Sequence, residues 1–292
     1  MERRTRSYLQ LIKPGITLSN TLSGVAGFFL ATSIVRLEFY QYATVFFGAI
    51  FGIALIIASA CVVNNVLDRD IDTRMKRTAK RDVASGAISV RKAMIFAGIL
   101  GIIGFSLLML YTNTLTFILG VIAYVWYIVI YGIAKRTTVL STFIGGVAGA
   151  LPPAAGYTAL TGQFDTGALL LFLILLFWQM PHFYAIAMFR QKDYASAKLP
   201  VWSVKYGLKS TKKQILIFAV LYAVVTTLLY AFGYTGIIYL VLSLALSVYW
   251  VYRGLSQYNK LEDEKWARKM FGASLLVLMS MLLLISIGGY LP

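Results

Sequence analysis

Of the 292 residues, one is cysteine, one is histidine, and only 13% are charged. Cys61 alone excludes an intrachain disulfide framework. It lies in an apolar run, where a free cysteine serves as a small hydrophobe. A soluble domain carries about 25% charged residues. A charge content of 13% beside 59% hydrophobic residues therefore excludes an ordinary soluble domain. The chain also lacks a glycine-rich nucleotide loop, a zinc cluster and a CxxCH motif. What it does have is long apolar runs and a net charge of +16. In a soluble protein that charge would raise the question of nucleic acid. Here the basic residues fall between apolar runs, so a charged membrane face explains them and no nucleic-acid partner is expected.

A helix needs about 20 apolar residues to cross a bilayer. Nine runs qualify: 14–32, 42–64, 93–111, 115–133, 139–159, 167–189, 214–231, 235–252 and 270–290. Lipid cannot satisfy free backbone groups, so spans must be helical or form a closed barrel. These runs are too long and too continuously apolar for barrel strands. The expectation is an all-α integral membrane bundle of nine transmembrane helices, a single domain over residues 1–292. Arg3, Arg4 and Arg6 precede the first run like the n-region of a signal peptide. The apolar part is long and further spans follow, so it reads as a retained first span.

Charge sidedness supports this count. With nine spans, 26 of the 27 basic residues fall on one side, and only Arg36 falls on the other. By the positive-inside rule the basic side is cytoplasmic. That places the N-terminus inside and the C-terminus outside. The basic side also carries nine of the eleven acidic residues, all but Glu38 and Asp165. Long, doubly charged loops on one face place the chemistry there.

The densest of these loops is "NNVLDRDIDTRMKRTAKR", Asn64 to Arg81. Asn64, Asp68 and Asp72 recur every four residues, which puts them on one face of a helix. Two carboxylates and an amide facing one way repel unless a cation lies between them. Mg²⁺ takes such oxygen ligands and is often completed by substrate phosphates. Asp70 points elsewhere and reads as a salt-bridge partner. Arg77 and Arg81 follow at once, and Lys135 and Arg136 enter from the same side. Metal-holding carboxylates beside phosphate-holding cations stabilise a departing diphosphate. At the mouth of an apolar bundle, that suggests a lipid diphosphate whose chain lies among the helices.

In "YGIAKRTTVLSTFIGGVAGALPPAAGY", Gly145 and Gly149 form a small-residue face for close packing. Pro152 and Pro153 are expected to break or kink the span beside a cavity. In "FWQMPHFYAIAMFRQKDYASAKLPVWSVKYG", Gln179 and His182 lie inside an apolar run, which is costly unless they face the interior. His182 could ligate iron, act as a base or simply hydrogen-bond. Asp193 could be a second metal ligand, an anchor or a solvated charge. Tyr124, Trp126, Tyr127 and Tyr131 could shield a carbocation or serve as membrane packing. "SQYNKLEDEKWARKMFG" reads as a surface linker between the last two spans.

Together these three long stretches, in this order, resemble the membrane prenyltransferases of the UbiA superfamily, and within them the branch that modifies haem. The resemblance covers most of the chain. It implies that the N-x3-D-x3-D motif of Asn64, Asp68 and Asp72 binds diphosphate through Mg²⁺. It also implies that Arg77, Arg81, Lys135 and Arg136 neutralise charge as the allylic C–O bond ionises. The superfamily's second aspartate-rich motif is altered here. Pro181 and His182 stand where its first aspartate is expected, and Asp193 remains nearby, which argues against the quinone-prenylating branch. The implied reaction joins farnesyl, from farnesyl diphosphate, to the 2-vinyl group of haem B with addition of water, giving haem O and diphosphate. Gln179, His182, Asp193 and Lys198 are the implied acceptor side. Membrane lipid and, downstream, haem A synthase or terminal-oxidase assembly proteins are the implied partners. The implied place is a prokaryotic plasma membrane, with the site near its cytoplasmic face. A prenyltransferase with another acceptor, such as a quinone ring or chlorophyllide, would share the diphosphate site. A transporter should instead spread its polar residues along a through-path.

Overall fold

The computed structural model describes residues 2–36 and 38–292; the side chains of residues 2–6 and 39, those of Arg3, Arg4 and Arg6 among them, lie outside that description. The short α1 (Glu2–Leu11) precedes α2 (Pro14–Val35), α3 (Phe39–Leu67) and the single turn α4 (Arg69–Asp72). After a loop come α5 (Val90–Tyr111) and α6 (Thr114–Val125). A π-helical segment (Trp126–Ile130) carries α6 directly into α7 (Tyr131–Thr137). The rest is α8 (Ser141–Thr161), α9 (Thr166–Phe189), α10 (Gln191–Ser196), α11 (Trp202–Ala231), α12 (Ile237–Ser256) and α13 (Asp263–Gly288).

The result is an all-α, multi-spanning membrane bundle in which, among the described residues, eight helices are long and apolar enough to cross. The remaining expected span corresponds to α8. It is a continuous helix of 21 residues, but Gly, Ala, Thr and Pro make it less apolar than its neighbours. Around the bundle, α2, α3, α5, α6 and α8 form one group of neighbours, and α9, α11, α12 and α13 the other. The groups join where α8 packs on α9 and where α13 packs on α2.

Three expectations are corrected. First, Pro152 and Pro153 do not break their span; both lie inside α8, which runs on to Thr161. Proline removes one helical donor and crowds the preceding turn. Here that turn is clamped against α2. A Cβ on Gly27 would overlap the Pro153 carbonyl oxygen, and one on Gly156 would overlap the Gly24 carbonyl oxygen. Between apolar helices in lipid, such close backbone approach supplies the packing energy that burial supplies in water. Second, the span expected from residue 214 starts at Trp202, with a break at Gly207 (φ 77°, ψ 172°). Third, the segment read as a surface linker already contains the first turns of α13. Trp266 there is buried, and its Nε1–H donates to the Gly254 carbonyl at 2.9 Å.

Candidate functional site

Helix α3 stops where Asp68 leaves helical geometry (φ −91°, ψ 3°), so Asn64, Asp68 and Asp72 do not share one unbroken helix. The four-residue repeat survives nonetheless. Asp68 N–H donates to the Asn64 carbonyl at 2.9 Å, and Asp72 N–H donates to the Asp68 carbonyl at 2.7 Å. Asp68 is thus a pivot that re-aims the last turn without losing the register.

Each member of the row has its own cation. Lys13 Nζ donates to Asn64 Oδ1 at 2.8 Å. Lys135 is ion-paired with Asp68. Arg81 donates from one nitrogen to both oxygens of Asp72, at 2.9 and 2.8 Å. Asp72 is only 1% exposed, so its charge is stable there only while paired. Thr78 completes the corner by donating to the Asp72 carbonyl at 3.0 Å.

Lys13 was not singled out in the sequence. It lies between α1 and α2 with φ 49°, a left-handed conformation uncommon outside glycine. Burial pulls its pKa below the ordinary lysine value, while Cys61, Asp68 and Asp72 pull the other way. A basic residue at the start of a first span looks like any positive-inside charge, so no residue pattern set it apart.

The other basic residues behave differently. Arg136 turns away from the row and forks onto Asp70, with both contacts at 2.8 Å, while also donating to the Leu67 carbonyl at 2.7 Å. The Arg136 hydrogen bonds, followed by other backbone and charge effects, hold Asp70 down to about 2. Its folded pKa is depressed, so the pair persists above the ordinary carboxylate range and is lost only as pH falls through about 2. The expected salt-bridge role of Asp70 is what the structure shows, and Arg136 is committed to it. Arg77 is exposed and has no ion-pair partner among the described residues.

The π-helical segment explains why Lys135 points in while Arg136 points out. It adds a residue to the turn ahead of them, as π-bulges at functional sites often do. Tyr127 and Tyr131 stack with centroids 5.5 Å apart, and Lys135 Nζ lies 5.4 Å from the Tyr131 ring. Gly145 leaves the space that the Tyr131 ring occupies. Tyr124 and Trp126 have packing duties instead: Tyr124 is hydrogen-bonded to Ser59 Oγ at 3.0 Å, and Trp126 donates to the Ile144 carbonyl at 2.7 Å.

The residues read as the acceptor side are not gathered at one point. Gln179 donates to the Gly146 carbonyl at 3.2 Å and the Leu175 carbonyl at 3.1 Å, which ties α9 to α8 through the gap that Gly149 leaves. His182 faces α13, with Nδ1 2.8 Å from Ser274 Oγ. Helix α9 ends at Phe189; Asp193 lies in the short α10, 3.9 Å from Arg190, and Lys198 follows that helix and is exposed. The end of α10 and the residues leading to α11 dock on the α4 corner. Ile71 and Met75 pack with Ala197, Leu199 and Val201, and Ser196 Oγ donates to the Arg74 carbonyl at 3.2 Å.

Among the described residues no three His, Cys, Asp or Glu side chains cluster as cation ligands. Two carboxylates and an amide do suit Mg²⁺, which keeps several waters and shares one or two carboxylates with substrate phosphates. The three cations already on these oxygens hold the row together.

A model of the UbiA prenyltransferase family matches residues 21–282. Protoheme IX farnesyltransferase of Pectobacterium carotovorum subsp. carotovorum is 42% identical over 289 residues, covering 98% of this chain and 96% of its own. The protein of the same name from Yersinia enterocolitica is 43% identical over 288 residues, with the same coverage. Among solved structures, a digeranylgeranylglyceryl phosphate synthase superposes with a TM-score of 0.75 at 21% identity, covering 99% of both chains. A UbiA homolog from Archaeoglobus fulgidus, bound to GPP and Mg²⁺, superposes with a TM-score of 0.70 at 15% identity, covering 96% of this chain and 99% of its own. The structural likenesses establish the fold.

Proposed function

We propose that this chain, which belongs to the UbiA prenyltransferase family, transfers farnesyl from farnesyl diphosphate to the 2-vinyl group of haem B with addition of water, giving haem O and diphosphate. The observation that carries the diphosphate half is the row Asn64, Asp68 and Asp72, each on its own cation at the end of an apolar bundle. The acceptor half is supported by relatives of matching length named for protoheme IX.

In this reading Asn64, Asp68 and Asp72 would hold Mg²⁺, which would supply charge neutralisation to the diphosphate oxygens. Lys13, Lys135 and Arg81 turn toward the diphosphate and stabilise its charge as the C1–O bond breaks. Arg77 adds charge from the corner's outer side. The stacked Tyr127 and Tyr131 present π-faces to the allylic cation. The vinyl π-electrons form the new bond to farnesyl C1. The cation left beside the porphyrin ring takes water and loses a proton, giving the hydroxyl. We take α8 as a ninth crossing. By charge, the N-terminus and the α3–α4 corner are then cytoplasmic and the C-terminus lies outside. The whole chain acts as one domain.

Membranes containing the protein, incubated with farnesyl diphosphate and Mg²⁺ plus either haem B or a quinone-ring precursor, should give only the haem product, heavier by farnesyl plus water. Prenylation of the quinone precursor with haem unchanged would move the acceptor to that class. No product with either acceptor, from protein shown to bind farnesyl diphosphate, would leave transport as the reading.

A further inference from the structure

Ser274 of α13 lies opposite His182 of α9. Its hydroxyl donates to the Phe271 carbonyl at 2.6 Å and lies 2.8 Å from His182 Nδ1. A serine hydroxyl has a single proton. With that proton on the Phe271 carbonyl, Ser274 Oγ can only accept from the imidazole. Neutral His182 therefore carries its proton on Nδ1 and its lone pair on Nε2. The same serine fixes the neighbouring ring, because Trp178 Nε1–H donates to the Ser274 carbonyl at 2.9 Å.

The imidazole has little freedom. Trp178 stacks on it with centroids 4.7 Å apart, and Phe271 lies 4.9 Å away on a tilted plane. Nε2 has no hydrogen-bond partner among the described residues, yet it is not one of the sealed, unpartnered atoms of the core. A core histidine that serves only packing would satisfy both nitrogens or bury the second. This one is oriented at Nδ1 and open at Nε2, the arrangement by which outer partners prepare a histidine to ligate a metal.

We infer that Ser274 is the positioning residue for His182, holding it in the Nδ1–H form so that Nε2 is presented to the iron of the tetrapyrrole acceptor. This deepens the haem reading given above and rests on it. Nothing in "FGASLL" distinguishes Ser274 in sequence, since serines are common in membrane helices.

The test is a titration of full-length protein in lipid nanodiscs with ferric protohaem IX, read by the Soret band and by electron paramagnetic resonance. The wild type should show histidine-ligated haem, and His182→Ala should lose that signature. Ser274→Ala should weaken haem binding by about tenfold or more, the usual effect of removing an outer partner of a metal ligand. It should also alter the resonance spectrum and leave farnesyl diphosphate binding unchanged. Ser274→Thr, which keeps the hydroxyl, should restore the wild-type spectrum. If the alanine variant does not fold, Ser274→Cys, close in shape but a weak acceptor, should show the same loss. A Ser274→Ala or Ser274→Cys protein with wild-type affinity and spectrum, alongside a silent His182→Ala, would overturn the role of Ser274 and leave the haem reading intact. Wild-type protein that binds protohaem IX with no histidine-ligated signature would overturn the proposal and leave the haem reading intact; wild-type protein that binds no protohaem IX would overturn both.

Discussion

Asp72→Asn is expected to lower the rate of diphosphate release by about a thousandfold, the upper end of what losing one preorganised electrostatic group costs. The substitution keeps size and shape, so the corner should still fold. It removes the charge that Arg81 grips with one nitrogen on both oxygens and that the proposed metal needs. Thr78 bonds the backbone carbonyl of residue 72, which the substitution leaves in place. The control is Arg136→Ala. Its partner Asp70 has a half-exposed side chain, and exposed pairs contribute at most about 1 kcal/mol, so release should stay within about fivefold of wild type. Diphosphate release and the thermal transition, measured on the same preparations, check both. A large loss in Arg136→Ala with little loss in Asp72→Asn would mean that the site is on the outer side of α7.

Gly156→Ala is expected to abolish recovery of monodisperse protein. The added Cβ would overlap the Gly24 carbonyl oxygen of α2, and backbone cannot move aside as a side chain can. Overpacking a core costs about 1–3 kcal/mol when side chains can shift, and here α2 and α8 must separate instead. The comparison is Gly98→Ala or Gly272→Ala, where a Cβ meets nothing within 4 Å. Those should be neutral or stabilising by up to about 1 kcal/mol, the helix-propensity difference. Size-exclusion profiles and thermal midpoints in detergent distinguish the cases.

These contrasts also show where the sequence was informative. Apolar run length located the spans because lipid permits little else, and the four-residue repeat of Asn64, Asp68 and Asp72 survived even a break at Asp68. Adjacent residues at a helix end were harder. Lys135 and Arg136 are consecutive, but about 100° apart around a helix. Which of them faces Asp68 depends on a π-helical segment that no residue pattern announces. Gln179 and His182 both face protein, as their place in an apolar run implied. They reach different neighbours because α9 is wedged between α8 and α13, a tertiary fact. Pro152 and Pro153 looked like a break because the effect of α2's glycines on that turn is invisible in the α8 sequence. Lys13 and Ser274 could not be told from an interfacial charge and an ordinary membrane-helix serine.

If the three cation–oxygen pairs at the α3–α4 corner are the site of a metal-dependent prenyl transfer, both products should depend on the metal and on Asp68 together. The most direct measurement is diphosphate release from farnesyl diphosphate with haem B by purified protein, with Mg²⁺, with a chelator in its place, and with Asp68→Asn. Release should be matched mole for mole by farnesylated haem with Mg²⁺, and neither product should form in the other two samples. Undiminished product in the chelated sample or from Asp68→Asn would place the chemistry away from this corner.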